Sequence, residues 1–393
     1  MGCVASKRQL RAVASRRAPA SLANMLCSLS IAAAPAADGS ANETTAALLP
    51  PGLALAAAER HSGPSNATFV YDRGVRSPWK KTQGIVEARC NLVYVKIPKC
   101  ASSTTGGVAR RIAAHFHYHG SGSDEWITDE PGVYANHGSF GGKDAACSPR
   151  YGCPSLPLMA TLSRPAFLFT FVRSPAARCL SKFYHFHASR KGTTPTDTMK
   201  IEALNASSCH DSVYHYMTAD DSITPRSLVR SVYSFVGVVE LYDQSLVVLA
   251  SLLGVPLGSV LYLASKNSSA GGSDGQGTTF VPHVALSDES DAVQRFATGD
   301  HFRMQNRRDL ALHFEAYSYV TERFDANREV LQGRATEFAA LLDRSRAECG
   351  DGAAEKDDCY WNDNGCGVRC LDRIAGSPRG RAAWLGSRLY FYA

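Results

Sequence analysis

NLVYVKIPKCASSTTGGVARRI, residues 91–112, opens with Leu92, Val93, Val95 and Ile97, an apolar and largely β-branched run that reads as a buried strand. Pro98 breaks the strand. Lys99, Cys100, Ala101, Ser102, Ser103, Thr104, Thr105, Gly106 and Gly107 follow, and a helix is expected to begin among them. A strand, then a loop of lysine, hydroxyls and small residues, then a helix N-terminus is a common way to hold phosphate, because free backbone N–H groups point at the anion. The ATP-binding loop would need Gly-x-x-x-x-Gly-Lys followed by Ser or Thr, and this stretch lacks it. An ordinary strand-to-helix turn with exposed lysines fits the same residues, so the stretch by itself leaves both readings open.

A second element shifts the balance. AFLFTFV, Ala166 to Val172, reads as another buried strand, with Arg173 at its end and Pro175 placed to start a helix. Ser181 lies eight residues beyond Arg173, about two helical turns on. Guanidinium groups grip phosphate bidentately and a serine adds a donor. In a parallel sheet both strand ends face the side where ligands of such folds bind. Two such elements on successive strands suggest one ligand with two separated anionic groups.

Further along, SFVGVVE reads as a short strand preceded by a helix, and YDQSLVVLASLLG as an amphipathic helix closed by Gly254. Asp309 to about Leu341 has apolar positions at helical spacing. Strands alternating with helices predict an α/β protein with a central parallel sheet flanked by helices. With 393 residues, 45% hydrophobic and 9% aromatic, the chain has length and apolar content for a sizeable core. Its formal charge of +6 does not argue for nucleic acid, because Lys7, Arg8, Arg11, Arg16 and Arg17 sit in the first 37 residues, which contain no acid. The remainder is nearly neutral, so no nucleic-acid partner is expected.

The N-terminus fits several targeting patterns. Gly2, Cys3 and Ser6 match a myristoylation signal. The basic start, the apolar Leu22–Ala34 and the small residues after it fit a signal peptide or signal anchor, and the acid-free Arg/Ser/Ala composition fits a transit peptide. Sequons at Asn42, Asn66, Asn205 and Asn267, with the 12 cysteines, favour an oxidising lumen. Cys349, Cys359, Cys366 and Cys370 lack the paired spacing of zinc sites, so disulfides are expected there and no metal. The implied layout is a signal or anchor at 1–37, an Ala/Pro-rich stem at 38–85, a catalytic domain at 86–345 and a small Cys-rich C-terminal extension at 346–393.

Lys96-Ile97-Pro98-Lys99-Cys100-Ala101-Ser102-Ser103-Thr104, followed by Phe171-Val172-Arg173-Ser174-Pro175, Arg178, Ser181 and Phe183-Tyr184, resembles the Golgi carbohydrate sulfotransferases. The nearer branch is that of the uronyl and heparan sulfate 2-O-sulfotransferases and the galactose 3-O-sulfotransferases. The likeness continues in Val236–Glu240 and in Asp309–Phe324, and covers roughly residues 88–330. It implies a P-loop-like sulfotransferase fold and the sulfonate donor PAPS, 3′-phosphoadenosine 5′-phosphosulfate. By that resemblance Lys99 contacts the sulfonate and bridging oxygen, and Ser102, Ser103 and Thr104 surround the 5′-phosphate. Lys96 and Ala101 complete that group, while Arg173 and Ser181 take the 3′-phosphate. Cys100 departs from the Thr or Gly more usual there.

The resemblance also places a catalytic histidine between the two motifs, and His137 in VYANHGSF is the candidate general base. His283 in FVPHVALS sits where similar enzymes carry a His-Val pair near the donor pocket. Arg178 and Lys182 either line the site or cap a helix face. The alternating His115, His117 and His119, and His185 and His187, would not converge on a metal from helices. The implied acceptor is a hydroxyl of a glycan or polysaccharide, met in the Golgi lumen by a chain tethered to the membrane through its N-terminus. The alternatives are a luminal glycan- or nucleotide-binding protein of the same fold without activity, and a P-loop kinase or NTPase. The last lacks an evident metal-binding acid after a strand, Glu240 being the nearest.

Overall fold

The computed structural model describes residues 79–82, 85–88, 91–115, 119–120, 132–135, 166–218, 221–264, 272–273, 279–350 and 365–376. Side chains are described within 92–112, 135, 167–218, 221–264, 281–350 and 365–376.

A hairpin of β1 (Trp79–Thr82) and β2 (Ile85–Ala88) leads into β3 (Asn91–Val95), followed by helix α1 (Ser102–His115). The main sheet adds β4 (His119–Gly120), β5 (Gly132–Tyr134), β6 (Ala166–Val172) and β7 (Phe235–Val238). All neighbours pair parallel, in the order β4-β5-β3-β6-β7. Strands of such a sheet are covered on both faces, which is why β3, β6 and β7 read as continuous apolar runs instead of alternating ones. The core gathers on them: Tyr94 stacks on Phe169 at 5.0 Å, and Phe171 meets Phe235 at 6.0 Å and Tyr242 at 5.1 Å. Gly237 is the register partner of Phe171, and a Cβ there would lie 2.6 Å from that ring. Glycine at this position is what lets the ring lie flat on the neighbouring strand.

The chain order sets where the strand-end loops part. After β3 the chain crosses to β4 and β5 on one side, whereas after β6 it crosses to β7 on the other. The adjacent strands β3 and β6 therefore send their loops in opposite directions. A crevice opens between such loops at the carboxyl ends of the strands. Lys99 leaves β3 and Arg173 leaves β6.

Helix α2 (Pro175–Phe183) begins with proline in its first turn, as expected, and runs on as a π-helical turn, Tyr184–Ser189. Then come α3 (Asp197–Leu204) and α4 (Ser212–Met217), and a helical turn (Pro225–Ser227) continuing as a second π-turn (Leu228–Val232). A second core lies under α2, α3 and the later α6 (Asp291–Thr298) and α7 (Asp300–Gln305), built on Leu180, Phe183, Leu204, Val293 and Phe302. Disulfide Cys179–Cys209 staples α2 to the chain after α3.

Helix α5 (Tyr242–Leu253) ends on the left-handed Gly254, where the sequence places its stop. It is not amphipathic, however: every residue from Ser245 to Leu253 is buried. Its length is enclosed by β7, the turn Leu257–Val260 and the two long C-terminal helices. A helix apolar around its circumference belongs in the interior. The helix expected from Asp309 to Leu341 is two, α8 (Arg307–Ala326) and α9 (Arg328–Cys349), broken at Asn327. The Asn327 side chain donates to the Arg323 carbonyl at 2.9 Å, satisfying an end-of-helix acceptor.

The C-terminal segment docks onto α1. Cys349 at the end of α9 is bonded to Cys370 in α10 (Val368–Ile374), and Cys366 is also disulfide-bonded. Gly365, at φ +83°, packs so closely on α1 that a Cβ would lie 2.7 Å from the Gly107 Cα. Buried Arg111 of α1 donates to Asp372 at 3.0 Å and to the carbonyls of Leu261 and Gly258 at 2.7 and 2.8 Å. Among the described residues no helix is long and apolar enough to cross a membrane.

Candidate active site

The loop from β3 to α1 bends through two left-handed residues, Lys99 at φ +67° and Ala101 at φ +56°. Both carry a Cβ, so each conformation costs on the order of 1 kcal/mol. Non-glycine residues held there mark a loop whose shape is imposed by its surroundings. Alternating left-handed residues produce a concave run of N–H groups suited to anions. The Cys100 N–H is used by the Ile97 carbonyl at 3.3 Å, and the first helical bond runs from the Thr105 N–H to the Ala101 carbonyl at 2.9 Å. The N–H groups of Ser102, Ser103 and Thr104 form the first turn of α1, where helices have no internal acceptors for them. Lys99 is half-buried, with its ammonium 5.9 Å from the centre of the Phe186 ring, while Lys96 is 2% exposed beneath the loop.

Cys100 turns inward. It is a free thiol in the core, and burial pushes its pKa up to about 12 despite the charges of Arg178 and Arg173 nearby. It packs the underside of the loop as a small apolar group and has no thiolate to offer.

Arg173 leaves β6 partly buried, and desolvation lowers its pKa against the opposing pull of Glu240. Glu240 follows β7, the next strand. One carboxylate oxygen accepts the Ser174 N–H at 2.8 Å and the other meets the His313 Nε2 at 3.0 Å. Burial pushes the Glu240 pKa upward, but the bonds from His313 and Ser174 prevail and hold it below the usual carboxylate range. An anionic Glu240 thus pins the backbone next to Arg173 and balances its charge. Both oxygens are engaged, which leaves this acid poorly placed to serve as the metal-binding acid of an NTPase. Sequence reasoning noted Glu240 only as a weak acid candidate and missed this role, which depends on α8 bringing His313 across.

Ser181 sits partly buried on α2. Arg178 is turned away from solvent to the Ser212 hydroxyl, and Lys182 donates to the Ser208 carbonyl at 3.1 Å. Both therefore hold α2 to the segment that follows α3. His137 lies outside the described residues, as do the side chains of His115, His117 and His119. Among the described residues no cluster of His, Cys, Asp or Glu is arranged to hold a metal.

His283 lies on a strap, residues 281–290, that crosses the π-turn. The Val281 N–H donates to Ser189 Oγ at 3.1 Å, and Tyr184 Oη and Lys200 Nζ donate to the Glu289 carboxylate at 2.8 and 2.6 Å. The His283 ring meets Tyr184 edge-on at 4.9 Å. Desolvation first, then the charges of Arg173 and Lys99, lower its pKa to about 4. The sequence offered only a short His-Val match for this residue.

Fold and site together define a parallel α/β protein with two loops, one carrying Lys99 and the other Arg173, side by side at its topological switch point. Residues 82–230 match the model of the sulfotransferase family. The match spans both loops and supports a sulfotransferase, with sulfonate transfer as the general chemistry. No curated protein matches the chain at a significant level.

Proposed function

We propose that the protein transfers a sulfonate group from PAPS to a hydroxyl of a glycan. The observation that carries this reading is the pairing of the Lys99–Thr104 loop with Arg173 on adjacent parallel strands. A ligand bridging them needs two separate anionic groups, and a 3′,5′-substituted adenosine has them, whereas the phosphates of ATP form one chain. The left-handed loop, the start of α1, the Lys99 ammonium and the Glu240-supported Arg173 fit such a donor.

When bound, PAPS supplies the sulfonate, which passes to the acceptor oxygen as the bond to the phosphate oxygen breaks. Lys99 and the α1 N–H groups hold the 5′ end and oppose negative charge growing on the phosphate. Arg173 and Ser181 hold the 3′-phosphate, fixing the donor at both ends so that positioning supplies much of the rate. His137 is the proposed general base, taking the acceptor hydroxyl proton onto its neutral imidazole. The sequons and the disulfides Cys179–Cys209 and Cys349–Cys370 support a Golgi-lumenal setting. Within that reading, the N-terminus serves as a membrane tether.

The test has two arms. Desulfated donor, 3′-phosphoadenosine 5′-phosphate (PAP), should raise the melting temperature by mass action, ATP much less, and Arg173→Ala should abolish the difference. Equal stabilisation by ATP, unaffected by Arg173→Ala, refutes the donor assignment. Labelled sulfate should pass from PAPS to members of a glycan panel and be lost in His137→Ala. Full activity in that variant removes His137 as base.

A further inference from the structure

The Nε2 of His283 is buried without a hydrogen-bond partner among the described residues, as is that of His210, and the His283 ring lies in the field of Arg173 and Lys99. An orphaned buried ring nitrogen is costly unless something meets it in the working state. Its position is built: the strap is tied to the π-turn at Ser189 and, through Glu289, to Tyr184 and Lys200, and Tyr184 supports the ring edge-on.

The charged groups that act on His283 come from several elements around it. Lys99 belongs to the β3–α1 loop, Arg173 to the end of β6, and Glu289 to the strap itself. Tyr184 of the π-turn presents its ring, and Lys200 of α3 is paired with Glu289. The one carboxylate in the group is paired with a lysine and bonded by a tyrosine hydroxyl, so it opposes the cations only in part. The net field on the imidazole is cationic, and it comes from the two residues assigned to the donor's two anionic ends.

We propose that His283 is a donor-linked proton site, taking up a proton from solvent when phosphate occupies the Arg173 and Lys99 loops and donating Nε2–H toward the bound anion. The inference rests on the donor reading given above. In the free protein burial first, and then the cationic field, keep the ring neutral. A bound anion cancels that field and replaces it with an attractive one, so the two events favour each other by linkage. The proton makes a third cationic contact that exists only in the complex. Donor binding then strengthens as pH falls, an unusual sign for a phosphate ligand, which itself begins to lose charge near pH 6.

Isothermal titration of PAP into the full chain, in buffers of different ionisation enthalpy, counts the protons taken up. If the bound ring titrates near the ordinary histidine value of ~6.5, wild type should take up about half a proton more than His283→Asn at pH 6.5. Its affinity relative to that variant should then rise about tenfold from pH 7.5 to 5.5. Comparison with the variant removes the ligand's own titration. On the wild-type protein alone, NMR of the His283 ring should show a pKa near 4 that moves up by at least two units with PAP. Absence of PAP binding overturns the donor reading and the inference with it. PAP binding with equal proton counts in the two proteins, or an unmoved ring titration, overturns the inference and leaves the donor reading standing.

Discussion

Replacing Arg111 by methionine keeps most of the side chain's length and apolar stem but removes three hydrogen bonds, two of them buried. The Leu261 and Gly258 carbonyls, bonded at 2.7 and 2.8 Å, lose their donor inside the protein. Asp372, with a side chain 22% exposed, can turn to water. Each orphaned carbonyl costs about 1–3 kcal/mol, so the variant should lose about 3–5 kcal/mol. For a domain of this size that lowers the melting temperature by roughly 10 °C. Asp372→Asn should cost only about 1 kcal/mol, because solvent already screens that end of the pair. Arg111 lies nine residues, about 14 Å, along α1 from Ser102. PAP affinity of the folded variant should therefore stay within about twofold of wild type. Thermal unfolding by circular dichroism, with PAP titrations below the transition, measures both. An Arg111→Met protein that melts within a degree of wild type would show that the C-terminal segment does not brace α1 as described.

Three further outcomes follow from the site and its supports. Asp309 is buried while accepting the N–H groups of Val213 and Tyr214, and burial raises its pKa to about 6. Because the folded value exceeds the unfolded one, its stabilising contribution is complete below the unfolded pKa of ~3.9 and is lost as pH rises through 6. Denaturant unfolding from pH 4 to 7.5 should show wild type losing about 2 kcal/mol relative to Asp309→Asn, and a flat difference refutes the assignment. Cys100 should resist alkylation by iodoacetamide in the folded protein and react on unfolding; rapid native labelling would mean that the loop opens. Glu240→Ala frees the Ser174 N–H and should weaken PAP binding about tenfold, whereas Glu240→Gln keeps an acceptor and should restore it. If Gln behaves like Ala, the carboxylate acts through charge and not through the bond to Ser174.

The strand-loop-helix of 91–112, strand Ala166–Val172 and the helix started by Pro175 were legible because apolar runs, prolines and loop residues are local signals. The switch-point geometry was not. It depends on which strands pair, and β5 entering beside β3 has only a three-residue strand to announce it. Composition could not show that Lys99 and Ala101 would be left-handed, since neither residue type prefers that conformation. The helix Tyr242–Leu253 carries enough Ser, Asp and Gln to look amphipathic, and only its neighbours reveal that it is enclosed. Cys179 pairs with Cys209 across a connection whose path no spacing rule predicts. His283 lies 110 positions from Arg173 in the sequence, so their shared field became visible only once the strap was placed.

The π-turn at Tyr184–Ser189 sets a constraint on length as well as on residue type. Wider than an α-helical turn, it accommodates a residue that the regular helix would have no room for. Removing one residue there would close the bulge into a regular turn and move the side chains within it by about 100°. Phe186 would swing away from Lys99, and Ser189 from Val281, so the strap carrying His283 would lose its anchor. This segment should therefore accept many substitutions but no single-residue deletion, and reading-frame-preserving deletions across 184–189 should uncouple donor binding from folding.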